Sequence, residues 1–348
     1  MFNAKVNSFY NQNDVINSND LRKQILNVDS RFRTSIRDLS TDFLYRFERP
    51  YKNIIRARVA SVEIPNMFYT FATRLMNTTF KITAPDISGT PRTIEVKLPD
   101  GNYLATDLND VIQTQLDEKL KIQYGIFIDI TIDPNTIKCI FTHSGLAPLP
   151  VILGTTSPSD PPTPFDLDFI NPKYPNRVYN SGLGFNLGFR NQFYSVETLV
   201  DAEPIPVYQI ISESCVDVIG DMYIFLAIDE FYAVDQKTDD NFIQCLAKVI
   251  VREDKGSVIY DDGSTLLSND VIFPSPIDLK QIRVKLLDPY GNLIDLNDMN
   301  FSFSLEITEV TNLKLYEFYR NYLWLGSMPS LKSDVNGSGA ALLGGRGP

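Results

Sequence analysis

Alternation of apolar and polar residues over short stretches constrains the fold of this chain more than any other feature of its sequence. In Thr93–Leu98 (TIEVKL) the apolar side chains alternate with Thr93, Glu95 and Lys97. Successive side chains of a β-strand point to opposite faces, so this stretch predicts a strand with one buried and one solvated face. A second layer must cover the apolar face, which predicts stacked sheets.

Similar stretches occur on both sides of a proline-rich region. Eight prolines fall within residues 148–175, and proline suits neither a regular strand nor a helix, so this region is predicted to be a long loop or linker. The predicted strands around it are Ile54–Ile64, Thr78–Ala84, Thr93–Leu98, Ile126–Ile132, Ile137–Thr142, Tyr223–Val234, Phe242–Arg252, Gln281–Leu287 and Phe301–Val310.

One segment has the period of a helix instead. Thr106 and Asp107 are candidate caps at its start, and the spacing predicts an amphipathic helix over residues 106–121. The residues that recur at intervals of three and four are Leu108, Val111, Ile112, Gln115, Leu116 and Leu120.

These elements predict a mainly β protein with β-sandwich or jelly-roll-like units, one inserted amphipathic helix and extended termini. Residues 1–50 have little periodicity and are predicted to be an extended N-terminal arm. Residues 51–200, with helix 106–121, and residues 201–326 are predicted to be two β-sandwich units. Residues 327–348 are predicted to be a flexible glycine-rich tail.

The composition argues against binding to nucleic acid, against a membrane-spanning helix and against secretion. The formal net charge of −11 gives no general basis for binding nucleic acid phosphates. The longest apolar run, Met222–Ile228, is seven residues long, far below the roughly 20 that a membrane-spanning helix needs. The N-terminus lacks the apolar core of a secretory signal, and three widely spaced cysteines are typical of a reducing compartment.

Few residues suggest catalysis. His143 is the only histidine, and with Cys139 it forms a C-x3-H pair that lacks the further ligands of a zinc site. The glycines of Gly182–Phe189 do not have the spacing of a phosphate-binding loop and predict a structural turn. We therefore predict no catalytic residue, no metal and no cofactor, although a carboxylate pair of a hydrolase remains open because its geometry depends on the fold.

Eight basic residues are concentrated within residues 31–58, a quarter of the 32 basic residues of an acidic chain. This local positive charge predicts a docking surface for an acidic partner, although the acidic residues interleaved with it are equally typical of a solvated segment. The eight are Arg31, Arg33, Arg37, Arg46, Arg49, Lys52, Arg56 and Arg58.

Several motifs, in this order, resemble the minor capsid proteins of large icosahedral double-stranded DNA viruses. The resemblance covers roughly residues 25–320 and is stronger in the order of the motifs than in any one of them. The motifs are VDSRFR, RVASVEIPNMFY, LPDGNY, GLGFNLGF, MYIFLAIDEF, IRVKLLDPYGNLIDLNDMNFSFSLEITEV and LYEFYR.

The resemblance implies a non-enzymatic structural protein of the virion, assembled in the host cytoplasm. Its implied partners are the major capsid protein and other minor capsid proteins, which it cements or braces. It also implies that Asp29, Arg31 and Arg33 fix the arm through charge-assisted hydrogen bonds and that Phe32 anchors it, with Arg37 as a further partner contact. The alternative is a virion-surface module that binds a glycan or a receptor, because β-sandwiches serve both roles.

Overall fold

The structure is a computed structural model that describes most of the chain. The predicted tail, residues 327–348, lies outside the described residues, and so do the first 19 residues of the predicted arm. The described residues are 20–152, 154, 156–170, 182–196, 199–200, 207–229, 231–237, 242–263 and 270–317.

Within this part of the chain, 17 strands account for most of the regular structure, as the alternation predicts. They are β1 Leu21–Asp29, β2 Asp42–Pro65, β3 Thr79–Pro85, β4 Pro91–Lys97, β5 Ile126–Ile132, β6 Lys138–Leu146, β7 Asp166–Asp168, β8 Phe193–Ser195, β9 Leu199–Val200, β10 Val207–Cys215, β11 Tyr223–Ile228, β12 Val234–Lys237, β13 Phe242–Cys245, β14 Ala247–Ile250, β15 Val258–Asp261, β16 Val271–Leu287 and β17 Ser302–Val310.

The main helix, α1, consists of Ala105–Leu116, a π-helical turn at Asp117–Lys121 and Ile122–Tyr124. The predicted helix 106–121 lies within it, but the predicted caps are wrong, because Leu104 occupies the N-cap position and makes no side-chain capping bond. A shorter helix, α2, spans Leu183–Asn186. No helix in the described ranges is both long and apolar enough to span a bilayer.

The largest sheet curls around its own core. Its strands lie in the order β1-β17-β2-β16-β11-β14, and β15 also pairs with β2. The pairing of β2 with β16 shifts register three times between Ile272 and Gln281, and Pro274 and Pro276 lie within β16 at the first of these shifts. Proline cannot donate to the ladder, so these two residues favour a bulge at that point. Buried side chains from every strand of this sheet form one hydrophobic cluster, here called core A.

The apolar run Met222–Ile228 is explained by strand β11. Ile224, Leu226 and Ile228 belong to core A, whereas Phe225 and Ala227 pack on the opposite face against the β12–β13 hairpin. A strand buried on both faces needs apolar residues at every position, which accounts for the loss of alternation there.

A second hydrophobic cluster, core B, lies between two four-stranded sheets, β5-β6-β10-β9 and β4-β3-β7-β8. Ile94, Val96 and Leu98 are all buried in it, so the face predicted from their alternation is confirmed. Helix α1 adds its own apolar side chains to the same core. The predicted mainly β class with an inserted amphipathic helix is thus confirmed.

Helix α1 also covers one edge of each of these two sheets. Gln115 accepts a hydrogen bond from the backbone N–H of Lys97 (3.0 Å) and donates one to its carbonyl oxygen (2.7 Å), at the edge strand β4. Gln113 accepts from the backbone N–H of Ile130 (2.8 Å) in the edge strand β5. Two glutamines therefore supply to these edges some of the bonds that a further strand would make.

The two cores are nested along the chain. Core A takes its residues from Leu26–Phe68 and again from Ile224–Ile307, and core B takes its residues from Phe71–Val218. The boundaries at residues 50/51 and 200/201 therefore do not coincide with the cores, and the division into domains stays a prediction. Strand β1, within the predicted arm, pairs along its whole length with β17 and contributes Leu26 and Val28 to core A.

Candidate interaction surface

The loop between β1 and β2, residues 30–41, contains most of the VDSRFR motif and begins with a 3-10 turn at Ser30–Phe32. Asp29 caps this turn by accepting a hydrogen bond from the backbone N–H of Arg31 (2.9 Å). The guanidinium of Arg31 bonds the same carboxylate (Nη2 to Oδ2, 2.5 Å), and these bonds hold the pKa of Asp29 below its ordinary value. Asp29 is buried at the end of β1, and the ion pair with Arg31 compensates its charge there.

The loop is tied to the turn that precedes β17. Ser30 Oγ donates to Asn300 Oδ1 (3.1 Å), and Ser30 N–H donates to the carbonyl oxygen of Phe301 (2.9 Å). Arg33 donates from Nη1 to Asn300 Oδ1 (3.0 Å) and to Ser30 O (2.8 Å), and from Nη2 to Ile36 O (3.3 Å). Segments some 270 residues apart in the sequence thus hold the loop in one conformation.

The side chains that this loop presents to solvent are apolar to an unusual degree. Phe32 is 69% exposed, Ile36 76% and Leu39 59%. Phe32 therefore does not anchor the segment in the core of its own chain, where Leu26 and Val28 do so instead. Large apolar side chains held in solvent by a rigid loop are typical of a surface that a partner covers.

Three of the eight residues in the predicted basic cluster, including Arg31, form ion pairs within the chain. Arg56 pairs with Asp270, and Arg58 pairs with Glu306 (2.7 Å), so these charges are largely compensated within the chain. Arg37 is exposed on the β1–β2 loop, whereas Arg46, Arg49 and Lys52 lie farther along β2. Docking of an acidic partner on this cluster stays a prediction.

An open groove lies beside the middle of β2. It is lined by Arg46, Phe47, Pro50, Lys280 and Gln281. Phe47 packs edge to face against both Tyr45 and Tyr51, with ring centroids 5.4 Å apart in each pair. The groove therefore combines one aromatic ring, that of Phe47, with the cationic side chains of Arg46 and Lys280.

His143 lies in β6 and is fully buried. Its Nδ1 lies 2.7 Å from the carbonyl oxygen of Thr163, and its Nε2 lies 3.1 Å from that of Gly145. Burial lowers the pKa of the imidazole. Cys139 is buried on the same strand, and no group of three or more potential metal ligands occurs among the described residues.

The glycines of Gly182–Phe189 serve packing around α2. A Cβ on Gly184 would lie 2.6 Å from the ring of Phe169, and a Cβ on Gly188 would overlap the carbonyl oxygen of Ser214. Gly188 also has a φ of +90°, which L-residues rarely adopt. This motif, predicted to be a structural turn, is a point of close approach between chain segments.

The sequence did not identify Ile36 and Leu39 as part of the candidate surface. The signal was present, because they are large apolar residues with polar neighbours on both sides, but their exposure depends on how the loop is anchored. Of the predicted contact residues, Arg31 and Phe32 are exposed. Arg33 hydrogen-bonds within the chain and connects the loop to Asn300. Asp29 is buried and caps the 3-10 turn.

No family model matches the sequence, and no curated protein matches it either. Among solved structures, the 3.5 Å cryo-EM structure of the Sputnik virophage matches at 13% identity and a TM-score of 0.38, covering 83% of this chain and 98% of that one. The crystal structure of the mavirus penton protein matches at 9% identity and a TM-score of 0.38, covering 82% and 99%. At these values neither likeness assigns a fold or a function to the chain.

Proposed function

We propose that this chain is a non-enzymatic minor capsid protein of a large icosahedral double-stranded DNA virus. In this role it braces the capsid through contacts with the major capsid protein and other minor capsid proteins, and it joins the virion in the host cytoplasm. The observation that carries the proposal is the β1–β2 loop, where the VDSRFR motif of the sequence resemblance coincides with a tied loop that exposes Phe32, Ile36 and Leu39.

A rigid loop suits a lattice contact for a physical reason. Because Arg33 and Asn300 already fix its conformation, binding loses little further backbone entropy. The apolar side chains gain free energy when a neighbour covers them, at about 25 cal/mol per Å². Each contact of this size is weak, but repetition over a particle makes the assembly stable.

The test is to replace Phe32 and Ile36 with serine and to measure incorporation into particles. Both side chains are largely exposed, so we expect the unfolding free energy to change by less than about 0.5 kcal/mol. Incorporation per particle should fall several-fold, because the partner loses its apolar contacts. Ile87→Ser is the matched control, since Ile87 is a half-exposed apolar residue on the Asp86–Thr90 turn. Unchanged incorporation of the double variant would count against the proposal.

Arg33→Ala tests whether the fixed conformation of the loop, and not only its exposed apolar side chains, contributes to incorporation. It removes the bonds to Asn300, Ser30 and Ile36 but leaves the exposed apolar residues in place. We expect faster hydrogen exchange in residues 30–41 together with reduced incorporation. Incorporation at the wild-type level, despite a loosened loop, would show that preorganisation does not matter.

The groove beside β2 favours a second candidate, a virion-surface module that binds a glycan. Phe47 supplies a ring against which a sugar could stack, and Arg46 and Lys280 supply donors for acidic sugars. A panel of neutral and sialylated glycans tests this candidate by titration, with Phe47→Ala as the binding-deficient variant. Saturable binding that Phe47→Ala abolishes would favour this role, and absence of binding across the panel would eliminate it.

A further inference from the structure

Strand β1 is an end strand of the large curled sheet. It pairs with β17 over all nine residues, from Leu21 opposite Val310 to Asp29 opposite Ser302, without a register shift. Within the described part of the chain its other edge pairs with no strand. The strand contains no proline and no bulge, which are two devices that commonly prevent pairing at such an edge.

Two hydrogen bonds at the ends of β1 show which backbone groups point outward. Thr311 N–H donates to Asp20 O (2.9 Å), and Ser30 N–H donates to Phe301 O (2.9 Å). Hydrogen-bonded positions alternate in an antiparallel ladder, so the even-numbered residues of β1 bond to β17. The odd-numbered residues direct their N–H and C=O groups to the free edge. They are Leu21, Lys23, Ile25, Asn27 and Asp29.

The open edge of β1 differs from the edges of β4 and β5. There, Gln115 and Gln113 of α1 bond to the backbone of the edge strands. At the centre of β1, by contrast, Ile25 is 68% exposed on the outer face of the sheet. The chain thus covers two of its sheet edges and presents an apolar residue at the middle of a third.

We propose that β1 pairs antiparallel with β1 of a second copy of this chain, about a two-fold axis at Ile25. This register is the one that uses all nine residues of both strands, and every outward-pointing residue then faces another. Ile25 lies opposite Ile25, and Lys23 lies opposite Asn27. Arg22 lies opposite Val28, so no two like charges are directly opposed. The interface is isologous and closes as a dimer.

The pairing is independent of the proposed capsid role. A single strand pair covers less than the roughly 800 Å² per partner of a standard stable interface, so the dimer is weak in dilute solution. In a particle that holds two copies near each other, the same contact becomes effectively intramolecular and strong.

The test is disulfide trapping with the full chain in a Cys215→Ser background. Cys215 is the exposed cysteine of the three, and Cys139 and Cys245 are buried. In a hydrogen-bonded antiparallel pair the two Cα atoms lie about 5.5 Å apart, a separation that a disulfide spans. Mild oxidation of Ile25→Cys should therefore give a covalent dimer on a non-reducing gel.

The register provides matched controls. Asn27→Cys alone should stay monomeric, because the two copies of residue 27 are separated by four positions, about 13 Å along the strands. A mixture of Lys23→Cys and Asn27→Cys should form the mixed dimer. The proposal is overturned if Ile25→Cys gives no more dimer than Asn27→Cys, which is the result expected if another protein or residues 1–19 cover this edge. Dimers from every variant alike would indicate random collision and would also overturn it.

Discussion

Replacing Gly188 with alanine should destabilise the protein by about 3–5 kcal/mol, a large part of the stability of a typical domain. The new Cβ would overlap the carbonyl oxygen of Ser214. That oxygen belongs to strand β10, and Ser214 N–H in turn donates to Gly188 O (2.9 Å). The new Cβ and the Ser214 carbonyl oxygen are both attached directly to the main chain. The overlap can therefore be removed only if the backbone of α2 or of β10 shifts against core B.

Gly89→Ala is the matched control, because it separates the cost of the backbone angle from the cost of the clash. Gly89 has a φ of +76°, close to that of Gly188, but nothing lies within 4 Å of its Cβ position. We expect Gly89→Ala to cost about 1–2 kcal/mol. Urea unfolding followed by circular dichroism gives both values. Equal losses for the two variants would mean that the packing of the Gly182–Phe189 motif is not as described.

Replacing Asp221 with asparagine should stabilise the protein at pH 7.5 and have little effect at pH 4. The pKa of Asp221 is raised to about 6, chiefly by burial and also by the nearby carboxylates of Asp288 and Asp217, against the attraction of Lys255 and Arg74. The charged form is thus disfavoured in the folded state. The contribution of Asp221 to wild-type stability therefore rises as the pH falls from about 6 toward its ordinary pKa of 3.8, and its charge costs most above pH 6.

The size of this effect follows from the shift in pKa. A shift from 3.8 to about 6 corresponds to roughly 1–3 kcal/mol at pH 7.5, once solvent access and the loss of attraction to Lys255 are considered. Lys255 stays held in the variant, because Nζ donates to the carbonyl oxygen of Phe68 (3.0 Å). The measurement is the unfolding free energy of both proteins from pH 4 to pH 8. A variant that is less stable at pH 7.5 would show that the carboxylate has a favourable partner.

Strands β3 to β6 around core B could be predicted because their pattern is local, whereas β7 lies in the region predicted to be a loop or linker and β8 to β10 were not predicted. Ile94, Val96 and Leu98 alternate within six residues, and hydrophobic periodicity alone identifies their face. The sequence also placed Gln115 among the apolar positions of the helix, and the structure explains this polar residue, which bonds to the edge of β4.

The position of β1 could not be predicted, because its partner is far away in the sequence. Leu26 and Val28 are the only buried apolar residues of this strand, and its ladder is formed with β17, more than 270 residues later. The candidate surface could not be predicted for the same reason, because the residues that fix its conformation are far apart in the sequence. The VDSRFR motif was visible in the sequence, but its conformation depends on Asn300, which no local pattern connects to Arg33.

Counting the copies of this chain in purified virus particles tests the central claim most directly. Quantitative mass spectrometry of gradient-purified, salt-washed particles gives the ratio of this chain to the major capsid protein. If the chain braces the capsid, many copies should be present in each particle, at a ratio that is constant between preparations. A chain that is abundant in infected cells but absent from washed particles would contradict the proposed structural role.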